Sequence, residues 1–299
     1  MRRFFNQLFN LLKISFTILF IGGLTYYIID RIQKKNNLMD IEEYSPKSTL
    51  INKKTKLKRS KYPFVDVHNH QFDMPLKNLN KLVAEMDSLN MGFMINLSGF
   101  RGLYLKKSLE NIKENAPNRF GLFLNIDFEA IDESDFEATQ TALIDSAVNA
   151  GVMGLKVYKS LGLTDTDSKG NRISINDPRL APIWDTCGKN KIPVLIHSGE
   201  PSSFWHPKDK FNERWLELRQ KPNRFRDPDT NPSFEEVLAE QHEVFKKHPN
   251  TIFINAHLGW MGNDLDRLET HLDTFPNVMT EIGAVLACLL YTSDAADDT

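Results

Sequence analysis

Seven short apolar runs, at 64–70, 92–98, 120–127, 152–158, 191–197, 251–257 and 277–283, alternate with longer stretches whose apolar residues recur at helical spacing. Leu76, Leu79, Leu82, Val83, Met86 and Leu89 form the first such stripe, which Gly92 is expected to stop. Leu180, Ile183, Trp184 and Cys187 form a later one, opened by Asp177 and Pro178 as an N-cap followed by a first-turn proline. Cys187 is thereby assigned to the core. Strands alternating with amphipathic helices predict a parallel sheet. Seven such units in series, with no GxGxxG or Walker phosphate loop, favour an α/β (β/α)₈ barrel over an open sheet, with the eighth unit missing.

Composition narrows the partners. The chain has 299 residues, a formal net charge of −2 and 25% charged residues, so no global basic surface points to nucleic acid. Two cysteines, Cys187 and Cys288, make no disulfide framework.

The amino terminus reads as a membrane segment. Arg2, Arg3 and Lys13 precede a charge-free run at 14–29, and Phe4, Phe5, Leu8, Phe9, Leu11 and Leu12 lengthen it enough to span. No small-x-small cleavage site follows, which favours an uncleaved single-pass anchor at 1–30 over a cleaved signal. Positive charge flanks both ends, with Arg31, Lys34 and Lys35 after the run, so charge does not set orientation. The short basic leader resembles an export signal, which favours an extracytoplasmic domain. A polar, basic linker at 31–61 follows, carrying Lys53, Lys54, Lys56, Lys58, Arg59 and Lys61. The barrel is expected over 62–287. The tail at 288–299 resembles the translation of a sequencing adapter and is set apart as non-native.

The chemistry lies at strand ends. In the first run Asp66, His68 and His70 alternate and share one face of a strand. The fourth run contains Lys156, the fifth ends at His197, and the sixth ends at His257. Barrel active sites form at the carboxyl ends of the strands, and imidazole is a favoured ligand for zinc and similar ions. Four histidines at predicted strand ends therefore point to a metal site. His206, His242, His248 and His271 fall in an insertion or on helices.

The segments VDVHNH (65–70), GLKV (154–157), PVLIHS (193–198) and NAHLG (255–259) resemble the amidohydrolase superfamily, and more narrowly its amidohydrolase-related group. The resemblance implies a TIM barrel of the metal-dependent hydrolase type. It implies His68, His70 and His197 as ligands of a divalent metal, Zn²⁺ first and Mn²⁺ or another ion as alternatives. His257 would be catalytic, polarising substrate and shuttling protons, or would bind a second metal. Lys156 would bridge two metals as a carbamate, or else contact substrate. The group's usual aspartate after an eighth strand falls outside this sequence.

The insertion at 200–232 follows the fifth strand on the catalytic face, and a loop that long is uncommon without a function. It supplies Glu200, Trp205 and His206 as candidate substrate contacts, joined by Arg101 and by Glu281 on the seventh strand. The expected function is hydrolysis of a small-molecule amide, lactone or ester by a metal-activated water. The alternatives are decarboxylation or hydration of a small aromatic or unsaturated carboxylic acid, and a non-catalytic membrane-tethered barrel. A TatD-type nuclease also opens on a His-x-His strand, but the absence of a basic domain surface argues against it.

Overall fold

Each apolar run forms a strand, and the strands pair in chain order. The structure, a computed structural model, describes residues 2–35 and 58–285. The chain falls into two units that divide between Thr55 and Lys56. The linker at 36–57 and the tail at 286–299 lie outside the described residues.

The first unit contains α1 (Arg2–Lys35), a single helix of 34 residues. Its Ser15–Ile32 window has a mean hydropathy of 1.2, long and apolar enough by length and composition to cross a membrane, and a signal sequence passes the same test. None of that window is buried.

In the second unit β1 (Phe64–Asn69), β2 (Met91–Asn96), β3 (Phe120–Leu124), β4 (Gly154–Val157), β5 (Val194–Ile196), β6 (Phe253–Asn255) and β7 (Val278–Thr280) make one parallel sheet in sequential order. Between them run α2 (Leu79–Leu89), α3 (Gly102–Asn115), α4 (Phe136–Ala150), α5 (Ala181–Lys189), α6 (Trp215–Gln220), α7 (Phe234–Lys247), the four-residue turn α8 (Ala256–Gly259) and α9 (Leu265–Thr274). The sheet curls so far that Glu281, just after β7, reaches His68 on β1 at 2.9 Å.

Alternation sorts the side chains to two faces. Leu122 and Leu124, Leu155 and Val157, and Val194 and Ile196 join the large core shared with Ile144, Trp184 and Phe245 from the helices. The intervening Phe123 and Leu195 pack with Leu97 and Ala256 in a separate inner cluster. Lys156 pairs in register with Leu195, and both its neighbours belong to the outer core, so it projects to the inner face. Gly154 is required here, because a Cβ would stand 2.4 Å from the Phe123 ring. Cys187 is fully buried, as expected of a core residue, and burial pushes its thiol above the ordinary range.

Some boundaries move. The first stripe begins at Leu79 because Asn78 caps it, accepting a hydrogen bond from the Lys81 amide, and Leu76 is left 91% exposed. Asn90 ends that helix in the left-handed conformation, which Asn tolerates, so Gly92 belongs to β2. Phe275 follows α9 as its C-cap. The stretch at 164–176, between β4 and α5, holds Ile173 and Ile175, both fully buried.

Candidate metal centre

His68, His197 and His257 converge at the carboxyl ends of β1, β5 and β6, with one ligand atom from each within 4.8 Å of the others. His68 stacks on His257 at 4.7 Å between ring centroids, and His197 meets His257 edge-on at 4.4 Å. His197 and His257 are 3% and 4% exposed, so the cluster is shielded from water. Lys156 lies among them, its Nζ 3.4 Å from His68 Nε2 and 3.4 Å from His197 Nδ1.

His257 owes its place to an unusual backbone. His257, Leu258, Gly259 and Trp260 all have φ between 56° and 62°. A left-handed conformation costs a residue with a Cβ roughly 1–2 kcal/mol, and such strain concentrates at functional sites. The turn swings the imidazole over the cluster and sets Trp260 4.8 Å from it.

His70 lies beside the group and outside it. Its ring is 5.5 Å from that of His68, and its Nδ1 is 2.7 Å from Ser98 Oγ, which in turn approaches Tyr158 Oη at 3.3 Å. The ring stacks on Phe72 at 5.6 Å and on Tyr158 at 6.0 Å. Buried asparagines tie this rim to the sheet. Asn96 accepts from the Gln71 and Ser98 amides, and Asn125 accepts from Phe100.

Electrostatics favour the neutral form of His68. Burial is the main cause that holds the His68 pKa down to about 4, with Lys156 and His257 adding to it against the opposing pull of Glu281. Burial raises the Glu281 carboxyl, but the hydrogen bond and charge of His68 outweigh it and leave the pKa below the ordinary value. The donor set fits a divalent cation: three imidazoles converge, with Nδ1 of His68 held by Glu281 and Nδ1 of His257 by the Gly283 carbonyl.

A cavity of about 340 Å³ opens beside the cluster, lined by His197 and His257 on one side and by the insertion on the other. Phe204 and Trp260 give it apolar walls, and Lys159, Arg214 and Arg224 give it cations. Glu200 forms the buried base of that charge group. It is 1% exposed and lies 3.0 Å from Arg224, 3.4 Å from Arg226 and 3.7 Å from Lys159. Of the other expected contacts, His206 lines this cavity. Trp205 instead donates its indole N–H to the Pro232 carbonyl at 2.7 Å and packs on Phe234. Arg101 pairs with Asp127 at 2.7 Å, away from the cavity lining.

Ser98, Tyr158, Lys159 and Trp260 escape the sequence reading. Ser98, Tyr158 and Lys159 follow strand ends and Trp260 follows a strand-end histidine, which is the one signal that could have found them.

The pattern of the Amidohydrolase family matches residues 116–299, more than half of the chain. No curated protein matches. Among solved structures, 2,6-dihydroxybenzoate decarboxylase from Rhizobium is similar at 16% identity and a TM-score of 0.45, over 69% of this chain and 70% of that one. Dihydroorotase from Campylobacter jejuni is similar at 16% identity and a TM-score of 0.46, over 81% and 59%. A dihydroxybenzoic acid decarboxylase from Polaromonas sp. JS666, with bound manganese and the inhibitor 2-nitroresorcinol, is similar at 14% identity and a TM-score of 0.40, over 70% and 69%.

Proposed function

The chain belongs to the Amidohydrolase family, and from that premise we propose that it is a metal-dependent enzyme acting on a small carboxylic acid, with decarboxylation of an aromatic or unsaturated acid as its reaction. The observation that carries this reading is the cavity itself. One wall is formed by His197 and His257 of the histidine cluster, and the facing wall combines Lys159 and Arg214 with the aromatic Phe204.

His68, His197 and His257 would hold the metal, which when bound supplies Lewis-acid polarisation and a water of lowered pKa. Lys159 and Arg214 bind and orient the substrate carboxylate, Arg214 in the planar fork that suits carboxylates. Phe204 and Trp260 pack against the planar body of the substrate and keep water from it. Loss of CO₂ leaves an electron pair on carbon that must be protonated, a part we give to His70, whose ring stands 5.5 Å from that of His68 and outside the cavity lining. The His70 Nδ1 contact with Ser98 Oγ, and Ser98 with Tyr158, offers a path by which that proton is replaced. This reading exchanges the expected parts of His70 and His257, because the ligand atoms of His257 are the ones that meet those of His68 and His197.

Hydrolysis of an amide, lactone or ester is the second reading, favoured by the family description. Three further parts belong to the same proposal. An eighth strand between β7 and β1 would close the (β/α)₈ barrel; Val65 and Met279, on those outer strands, are 54% and 58% exposed. The helix α1 would anchor the barrel, joined by the basic linker, to a membrane with the catalytic domain outside the cytoplasm. Residues 288–299 would be foreign to the barrel.

The test is to load the full chain with Zn²⁺ or Mn²⁺ and follow CO₂ release from dihydroxybenzoates and unsaturated acids beside ester, lactone and amide hydrolysis. CO₂ release without hydrolysis is expected. Hydrolysis alone supports the second reading, and neither activity, with no metal bound, supports a non-catalytic barrel.

A further inference from the structure

The segment leaving β7 touches two of the three clustered imidazoles on the same ring atom. Glu281 Oε1 is 2.9 Å from His68 Nδ1, and the Gly283 carbonyl oxygen is 2.7 Å from His257 Nδ1. A carbonyl oxygen can only accept, so the proton of His257 must reside on Nδ1. A carboxylate imposes the same condition on His68. At the opposite edge of the His68 ring, Nε2 faces the Lys156 amine at 3.4 Å, which suits a lone pair there.

The carboxylate that does this is itself held. Glu281 Oε1 also accepts from the His257 amide at 2.8 Å, and Oε2 accepts from the Gly283 amide. The Leu258 amide donates to the Glu281 carbonyl at 2.9 Å, tying the segment to the left-handed turn that carries His257. The side chain is 7% exposed. Gly283 fits because a Cβ there would stand 2.5 Å from Glu281 Oε2. The carboxylate is thus spent on the histidines and on backbone.

We infer that Glu281 and Gly283 form a bracket that fixes the tautomers of His68 and His257, making Glu281 a positioning residue of the metal centre. With Nδ1 protonated, both rings present Nε2 as the metal-binding atom, and the carboxylate raises the basicity of His68. Partners of this kind, when removed, typically cost about 10–100-fold in metal affinity. The inference rests on the histidine cluster being a metal site, but the tautomers can be read without metal.

The experiment is long-range ¹H–¹⁵N NMR of the metal-free full chain, with resonances assigned through His68→Gln and His257→Gln, followed by Zn²⁺ affinity from chelator competition. In the wild type both rings are expected as the Nδ1–H tautomer. Glu281→Leu is expected to move His68 towards the Nε2–H form, leave His257 unchanged, and weaken Zn²⁺ by about 10–100-fold. Glu281→Gln, whose amide oxygen still accepts, should keep the His68 tautomer and lose less affinity. A wild-type His68 or His257 protonated at Nε2 overturns the inference, as does a His68 tautomer indifferent to Glu281→Leu. Because the wild-type tautomers are read without Glu281→Leu, failure of that variant to fold leaves the wild-type readout intact. Wild-type protein that binds no Zn²⁺ while holding both Nδ1–H tautomers would refute the metal reading separately and leave the bracket as a purely structural one.

Discussion

Lys156 Nζ stands 3.4 Å from His197 Nδ1, so a buried amine points at an atom of the cluster that would receive a cation. The same amine is 3.4 Å from His68 Nε2, and Lys156 is 1% exposed. An ammonium this close to a divalent ion repels it by several kcal/mol even at an effective dielectric near 20. Lys156→Met is therefore expected to tighten Zn²⁺ binding by at least about tenfold, roughly 1.4 kcal/mol, in a chelator-competition titration. Weaker binding in the variant would instead mark Lys156 as a bridging carbamate.

Lys159 supplies the second prediction. It lines the cavity with a side chain 24% exposed and lies 3.7 Å from Glu200. If it binds the substrate carboxylate, Lys159→Met should raise KM for an acid substrate about tenfold and leave kcat within a factor of a few, the pattern of lost uniform binding. Inhibition by an uncharged amide analogue should be unchanged. Equal weakening for both ligands would remove Lys159 from carboxylate recognition.

Arg172 and Glu240 clamp the loop at 164–176 onto α7. Two hydrogen bonds of 3.0 and 2.6 Å join the guanidinium to the carboxylate, which also accepts from the Ile175 amide at 3.0 Å. Glu240→Ala leaves a partly buried guanidinium and a buried amide without that acceptor. Urea unfolding should register a loss of about 2–3 kcal/mol. Arg172→Ala combined with Glu240→Ala should cost less than the two losses summed, because each single change already breaks the same contact.

His271, on α9, governs part of the acid stability. Burial chiefly, then the charges of His242 and Arg267, hold its pKa down to about 4 against an ordinary value of 6.5. A histidine depressed in this way binds its proton more readily when unfolded. Its contribution is complete above pH 6.5, falls away as the pH drops from 6.5 to 4, and does not change further below that. Allowing for partial solvent screening, the loss is about 2 kcal/mol. His271→Leu should therefore show a fall in unfolding free energy between pH 7 and 4.5 that is smaller than the wild type's by about that amount. Parallel pH profiles for the two proteins would exclude His271 as the source.

The strand-end histidines were legible because two simple rules meet at them. Period-two alternation put His68 on one face of β1, and the carboxyl-end rule picked out His197 after β5. Lys156 could be read the same way, as one cation within an apolar run. The rule worked less well at His257, which β6 does not include: the strand ends at Asn255, and a left-handed turn with one glycine in four residues carries the ring onward. No local pattern foretells that turn, since Leu258 and Trp260 ordinarily avoid positive φ. Glu281 was visible as a strand-end carboxylate, but its partner His68 lies 213 positions away and only the curl of the sheet unites them. The helix stop at Asn90 was missed for a smaller reason: Gly92 was the stronger breaker on paper, and asparagine's tolerance of the left-handed region decided the case.

The central claim is that His68, His197 and His257 together hold a metal. Equilibrium dialysis of the full chain against Zn²⁺, with bound metal measured by mass spectrometry, tests it most directly. The account predicts one ion per chain in the wild type and none retained in His197→Ala at equal folded fraction. Wild-type protein that binds no ion, or His197→Ala that keeps it with undiminished affinity, would contradict it.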